Sequence, residues 1–185
     1  MHAKKISALY DLAMKTGAPV IGLVDCAGMR LQEATDALEA FGGIYLKQTM
    51  ASGMIPQITA VFGTCGGGMA VVPALTDFTF IESKKGKMFV NSPNALDGNY
   101  TEKCDTASAE FQSKETGLID AVESEEEILA EIRQLIGLLP SNFEDNDSFE
   151  ECTDDLNRAC EDIAACAGDT SLALSRIADN GIFFE

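Results

Sequence analysis

Residues 55–78 read I-P-Q-I-T-A-V-F-G-T-C-G-G-G-M-A-V-V-P-A-L-T-D-F, and no other stretch limits the fold as tightly. Residues 58–62 are an apolar, β-branched run, the pattern of a buried strand that ends at Gly63. Gly66-Gly67-Gly68 follows, and residues 69–75 predict a short buried helix whose first turn is glycine. A helix N-terminus leaves backbone N–H groups unpaired, and glycine lets another molecule's oxygen come close to them. Such a corner can hold a phosphate, or a carbonyl oxygen that becomes negative during a reaction. It can equally be a place where a helix simply packs closely on a strand.

The neighbouring segments supply the rest of an α/β pattern. Residues 3–15 predict an amphipathic helix with Ile6, Leu9, Leu12 and Ala13 on one stripe, closed by Gly17. Residues 19–25 predict a strand buried on both faces. A chain that opens on a crossover helix implies an earlier strand supplied by sequence or by a polypeptide outside these residues. Asp25-Cys26-Ala27-Gly28-Met29-Arg30 then forms a second turn of small residues at a strand's carboxyl end. Ligands of open α/β sheets sit beyond such ends. Arg30 can reach a phosphate or pair with Glu33. Residues 35–52 predict a helix, and Gly42-Gly43 within it points to close packing against another helix or subunit.

Further strands are predicted at 77–81, 87–90 and 118–122, with a polar loop over 94–105 and a helix over 107–114 capped by Gly117. Lys84, Lys85 and Lys87 make a basic turn that is either a solvated hairpin or a contact to an anionic cofactor. Ser124 and Glu127 form a capping-box signature for a helix over 125–139. The core is expected over 1–140. Residues 141–185 are expected to form an acidic linker over 142–151, with a carboxylate metal site as its lesser alternative, followed by an arm of helices at 153–167 and 171–179. The apolar Ile182-Phe183-Phe184 end should pack on something.

Composition closes off several functions. A net charge of −17 argues against nucleic acid or an acidic membrane surface as a partner. No apolar run has the length of a membrane span, and no signal peptide is read at residue 1. The six cysteines lack CxxC pairs and sit among apolar neighbours, which fits reduced thiols in a cytoplasm better than disulfides or a metal. The one histidine is His2, so imidazole chemistry inside the chain is nearly excluded.

Residues 17–34, G-A-P-V-I-G-L-V-D-C-A-G-M-R-L-Q-E-A, resemble the carboxyltransferase subunits of biotin-dependent acyl-CoA carboxylases and decarboxylases, which carry G-A-P-V-I-G-L-N-D-S-G-G-A-R-I-Q-E-G. Residues 51–68, the P-A-L-T-D-F run at 73–78 and the closing I-A-D-N-G-I-F-F-E extend the resemblance over nearly the whole chain. The resemblance implies a crotonase-like α/β fold, a spiral of ββα units in two roughly perpendicular sheets flanked by helices. It implies that a carboxyl group moves between biotin, carried on a biotin carboxyl carrier protein, and the α-carbon of an acyl-CoA. By position, Ala27, Gly28, Gly66 and Gly67 would be the backbone donors to the thioester enolate oxygen, with Arg30, Cys65, Gly68 and Met69 contacting substrate and no metal involved.

The chain also departs from that pattern. Ala27-Gly28 replaces a glycine pair, residues 104–117 replace a stretch bearing glycines and a histidine, and the family's C-terminal carboxyltransferase domain is not among these residues. The expected partners are therefore acyl-CoA, the biotin carrier and that domain or subunit, in a homo- or hetero-oligomer. Readings of a different class are a decarboxylase alpha-type subunit fragment, a self-sufficient crotonase-type hydratase or isomerase, a Clp-type serine peptidase, and a non-catalytic assembly subunit. A hydratase would place a glutamate where Met69-Ala70 stands, and a peptidase would need an internal base.

Overall fold

A computed structural model describes residues 1–95, 105–145, 152–155 and 157–183. Contacts divide the chain into two compact units, Met1–Asn146 and Asp147–Glu185.

The first unit is built around one strand. Helix α1 (His2–Thr16) ends on Gly17, whose left-handed backbone (φ 67°) lets its N–H reach the Ala13 carbonyl. Strand β1 (Val20–Cys26) and helix α2 (Ala34–Ala51) lead into β2 (Gln57–Gly66), and then come α3 (Val71–Ala74), β3 (Phe78–Glu82) and β4 (Lys87–Phe89). Helix α4 (Ala109–Phe111), β5 (Ala121–Glu123) and α5 (Glu125–Leu138) complete the unit. All strand pairings are parallel, in the order β1-β2-β3-β5 with β4 branching from β2.

β2 is long enough to serve two neighbours on one side. Residues 58–61 pair with β3, and 64–66 pair with β4. A register break between Val24 and Cys26 marks the same bend on the β1 side. The two expected layers thus meet through β2 as one hydrogen-bonded network. Parallel strands need crossovers, and α2, α3 and α4 lie in those between β1 and β2, β2 and β3, and β4 and β5. Val24, Val61, Cys65, Ala70, Ile81 and Met88 form the core beneath the carboxyl ends of the strands. Tyr10, Ala13, Ala51 and Ile55 seal α1 against α2.

Several polar side chains fix these elements from inside. Buried Gln48 donates to the Val72 carbonyl (3.2 Å), and buried Gln57 donates to the Gln48 carbonyl (3.1 Å), tying α2 to α3 and β2. Asp77 accepts from Gln57 N–H (2.8 Å) and Asp120 from Thr79 N–H (2.6 Å) at the amino ends of the strands. Helix α5 starts on the Ser124–Glu127 capping box, with Glu125, Glu126 and Glu127 in the first turn complementing the helix dipole.

The structure corrects several sequence expectations. β1 is not buried on both faces. It stands at the sheet edge, with Ile21 43% and Leu23 58% exposed. Gly42 and Gly43 do not pack closely on another helix of this chain, since a Cβ added at either meets no atom within 4 Å, and of the two expected partners only a subunit is left. β2 runs past Gly63 to Gly66 because β4 supplies ladder partners there. The helix expected over 69–75 is a 3₁₀ turn, Gly67–Ala70, continued by α3. The helix expected over 107–114 narrows to α4 and widens into a π-helical turn, Gln112–Thr116, that Gly117 (φ 67°) closes. Of the expected 94–105 loop, residues 96–104 lie outside the described residues, as do 146–151 of the expected linker.

In the second unit, the described residues 153–155 and 157–162 are not helical. Arg158 instead donates to the carbonyls of Arg176, Ile177 and Ala178 at the end of α6 (Thr170–Ile177), while Asp154 accepts from Arg158 and from Asn180 N–H. These bonds satisfy the α6 carboxyl end and win over the helix propensity of the segment. A 3₁₀ turn, Ile163–Cys166, is what remains of the expected helix.

Candidate functional site

The two glycine-bearing turns lie side by side because their strands are neighbours. Cys26 and Cys65 are partners in the β1–β2 ladder, so Ala27-Gly28 and Gly66-Gly67 leave the sheet together. They interlock at the backbone. A Cβ on Gly28 would stand 2.9 Å from the Gly66 carbonyl oxygen, and one on Gly66 would stand 2.8 Å from the Ala27 carbonyl oxygen and 3.0 Å from the Phe89 ring. Gly28 also has φ 115°, a backbone region that side chains avoid. Asp25 braces the seam from below by accepting from Thr64 N–H at 2.9 Å. That contact requires Gly63, where a Cβ would fall 2.3 Å from the Asp25 carboxylate.

Gly67 differs from its neighbours. Its φ is 59° and a Cβ there meets nothing within 4 Å, so the space on its side-chain side is open. Gly68 is held from the opposite side by α2. The Tyr45 hydroxyl donates a short hydrogen bond to the Gly68 carbonyl, and Phe41 packs beside it, with ring centroids 5.9 Å apart. The result is a turn clamped at Gly66 and Gly68 with Gly67 presented between them.

The side chains at the site are chemically quiet. Cys65 is fully buried and donates to the Met69 carbonyl (3.4 Å); burial, and secondarily the nearby Cys26, push its thiol up to about 12. It is protonated at neutral pH and reacts only slowly as a nucleophile. Met69 packs half-buried on the core. Arg30 is 83% exposed and pairs with Glu33 at 3.4 Å, the alternative the sequence left open, and a surface pair this weak leaves the guanidinium available to an anion. The basic turn after β3 wraps around the Glu82 carboxylate, which accepts from Lys85 and Lys84 N–H and is held below the usual carboxylate range by those bonds, the Lys85 bond foremost. Lys87 pairs with Asp105. Among the described residues no group of three His, Cys, Asp or Glu side chains is placed to hold a metal ion.

Asp25, Phe41, Tyr45 and Phe89 are the residues that sequence reasoning missed. The i, i+4 spacing of Phe41 and Tyr45 marked a helix face but not the carbonyl that the hydroxyl would meet. A separate cavity of about 220 Å³ lies at the amino ends of β2 and β3, lined by Met54, Pro56, Phe78, Leu139 and Phe143 among others, and shares no residue with the glycine seam.

The interlock makes a direct prediction. Gly28→Ala combines an unfavourable φ with a contact to the Gly66 carbonyl and should destabilise the chain by roughly 2–5 kcal/mol. Gly42→Ala adds its methyl to open space on a helix and should stabilise by about 0.5–1 kcal/mol. Urea unfolding of the two variants checks the contrast, and equal midpoints would mean that the two turns do not touch.

Comparison with known proteins places this geometry in a family. The model for the carboxyl transferase domain matches residues 1–185. The alpha subunit of methylmalonyl-CoA decarboxylase from Veillonella parvula is 36% identical over 196 residues, and the propionyl-CoA carboxylase beta chain of Roseobacter denitrificans is 35% identical over 198. Each alignment covers all of this chain and 38% of the relative, so the chain spans well under half the length of the proteins it matches. The structure of transcarboxylase 12S, a hexamer solved with hydrolysed methylmalonyl-coenzyme A bound, superposes with a TM-score of 0.87 at 28% identity over 99% of this chain and 37% of that one. The Pseudomonas malonate decarboxylase hetero-dimer, at 20% identity and a TM-score of 0.59, shares the fold. The fold is crotonase-like, and the chain belongs to the carboxyl transferase domain family.

Proposed function

We propose that this chain is the acyl-CoA-binding part of a biotin-dependent carboxyltransferase, in which a carboxyl group moves between biotin and the α-carbon of an acyl-CoA. The observation that carries the reading is the seam itself: two backbone turns interlocked at Gly28 and Gly66, with Gly67 open above them. Removing or adding a carboxyl group at the α-carbon places negative charge on the thioester oxygen. Backbone N–H groups of Ala27, Gly28, Gly66 and Gly67 stabilise that charge without a titrating side chain, in keeping with a site built without imidazole. Loss of one such donor typically lowers the rate about 10²–10³-fold. Arg30, exposed at the mouth of the first turn, is suited to an anionic part of the coenzyme, and Gly68 and Met69 shape the floor.

Biotin, brought by a biotin carboxyl carrier protein, supplies the carboxyl donor or acceptor. A C-terminal carboxyltransferase domain or subunit forms the facing wall, in a homo- or hetero-oligomer. The free thiols of Cys26, Cys65, Cys152, Cys160 and Cys166 support a reducing, cytoplasmic setting, and no described helix is long and apolar enough to cross a membrane. Hydrogen–deuterium exchange of the full chain with and without methylmalonyl-CoA tests the site. Slowed exchange over residues 27–30 and 66–69 is expected. Protection confined to the cavity walls around Met54 and Phe143 would place the ligand elsewhere.

A further inference from the structure

Cys26 and Cys65 stand side by side in the β1–β2 ladder where the two glycine turns join. They are direct partners in the parallel ladder, the last such pair before β1 leaves the sheet. Neighbouring strands lie about 4.7–4.9 Å apart, inside the Cα separation of about 4.4–6.8 Å that a disulfide spans. Their side chains share a face. Cys65 lies in the core cluster with Val24, and Cys26 follows Val24 by two residues on the same strand. Both are free thiols, Cys26 half-buried and reachable from solvent, Cys65 fully buried.

We propose that Cys26 and Cys65 are an oxidative modification site, at which a hydroperoxide joins the two thiols in a cross-strand disulfide that locks the seam between the glycine turns. Cys26 sulfur attacks the peroxide O–O bond and becomes a sulfenic acid, releasing water or an alcohol. Cys65 sulfur then displaces hydroxide from the Cys26 sulfur; the S–S bond forms, the Cys65 proton leaves with the hydroxide as water, and the pair has lost two electrons to the peroxide. A dithiol reverses the bond. Because Cys65 gives up its proton reluctantly, the second step is slow and the disulfide accumulates only under sustained oxidant.

Closing the bond brings the Cβ atoms to about 3.8 Å, which turns the two side chains toward each other and ties β1 to β2 at this point. The atoms that move with them are the Gly28 carbonyl, to which Cys26 donates at 3.5 Å, and Gly66, which follows Cys65. A cross-strand bond with one sulfur reachable from solvent is open to reduction, the property of a regulatory disulfide rather than a structural one. The effect on acyl-CoA binding rests on the function proposed above; the bond itself does not.

Peptide mapping by mass spectrometry of the full chain, treated with hydrogen peroxide and then blocked with iodoacetamide, tests the site. The expected result is a peptide carrying Cys26 linked to one carrying Cys65, released by dithiothreitol and absent from Cys26→Ser. Cys26 recovered as a sulfinic acid, or joined to another cysteine while Cys65 is alkylated, would overturn it. In parallel, oxidation should weaken methylmalonyl-CoA binding to the wild type by about tenfold or more, since misplaced binding groups carry effects of that size, and should leave the affinity of Cys26→Ser unchanged by oxidant. A linked pair with unaltered affinity would sustain the disulfide and count against the seam as the thioester site.

Discussion

Taken alone, the 185-residue chain is expected to bind an acyl-CoA but to transfer no measurable carboxyl group to or from biotin. The glycine seam offers backbone donors for one reactant. Nothing among the described residues forms a second wall against it, since Gly67 faces open space and Arg30 is exposed. Holding two reactants in register is worth roughly 7–11 kcal/mol, or about 10⁵–10⁸ in rate, and that term is lost when one of them is unheld. Transfer of a labelled carboxyl group from methylmalonyl-CoA to free biotin is the assay. Background rates with the chain alone, and turnover when the remaining length of a family relative is added in trans, are the expected results. Rapid transfer by the chain alone would contradict the half-site account.

What the sequence showed and what it hid divide along physical lines. Local signals held: the Ser124–Glu127 box opens α5, and Gly17 and Gly117 close their helices in left-handed conformations. These depend on backbone groups within a few residues. The glycine turns were visible as corners, but their contact at Gly28 and Gly66 depends on β1 lying beside β2, which no single turn encodes. The same limit explains β2. Gly63 reads as a strand end, yet 64–66 remain in the ladder because β4 pairs with them.

Ile21 and Leu23 belong to an apolar run that reads as doubly buried, and periodicity cannot say that β1 is an edge. A helix reads plausibly over 153–167, but Arg158 donates to the carbonyls of Arg176, Ile177 and Ala178, a long-range pairing that local spacing does not encode. Tyr45 reads as helix-face packing; only the fold shows its hydroxyl reaching the Gly68 carbonyl and so fixing the turn that presents Gly67.

The central claim, that the open backbone at Gly67 meets the acyl-CoA, is tested most directly by calorimetric titration of methylmalonyl-CoA against wild type, Gly67→Val and Gly117→Val. Valine at Gly67 projects two methyl groups into the space from which a thioester oxygen would approach. Part of its effect is backbone strain, because φ there is 59°. Gly117 is the matched control, with φ 67°, nothing within 4 Å, and a place at the end of the π-helical turn rather than in the seam. Both variants should lose similar stability in urea. Only Gly67→Val should lose affinity, by about 10²-fold or more, the scale set by displacing a bound group by about 1 Å. Equal affinities for wild type and Gly67→Val would contradict the account and reduce the glycine corner to packing.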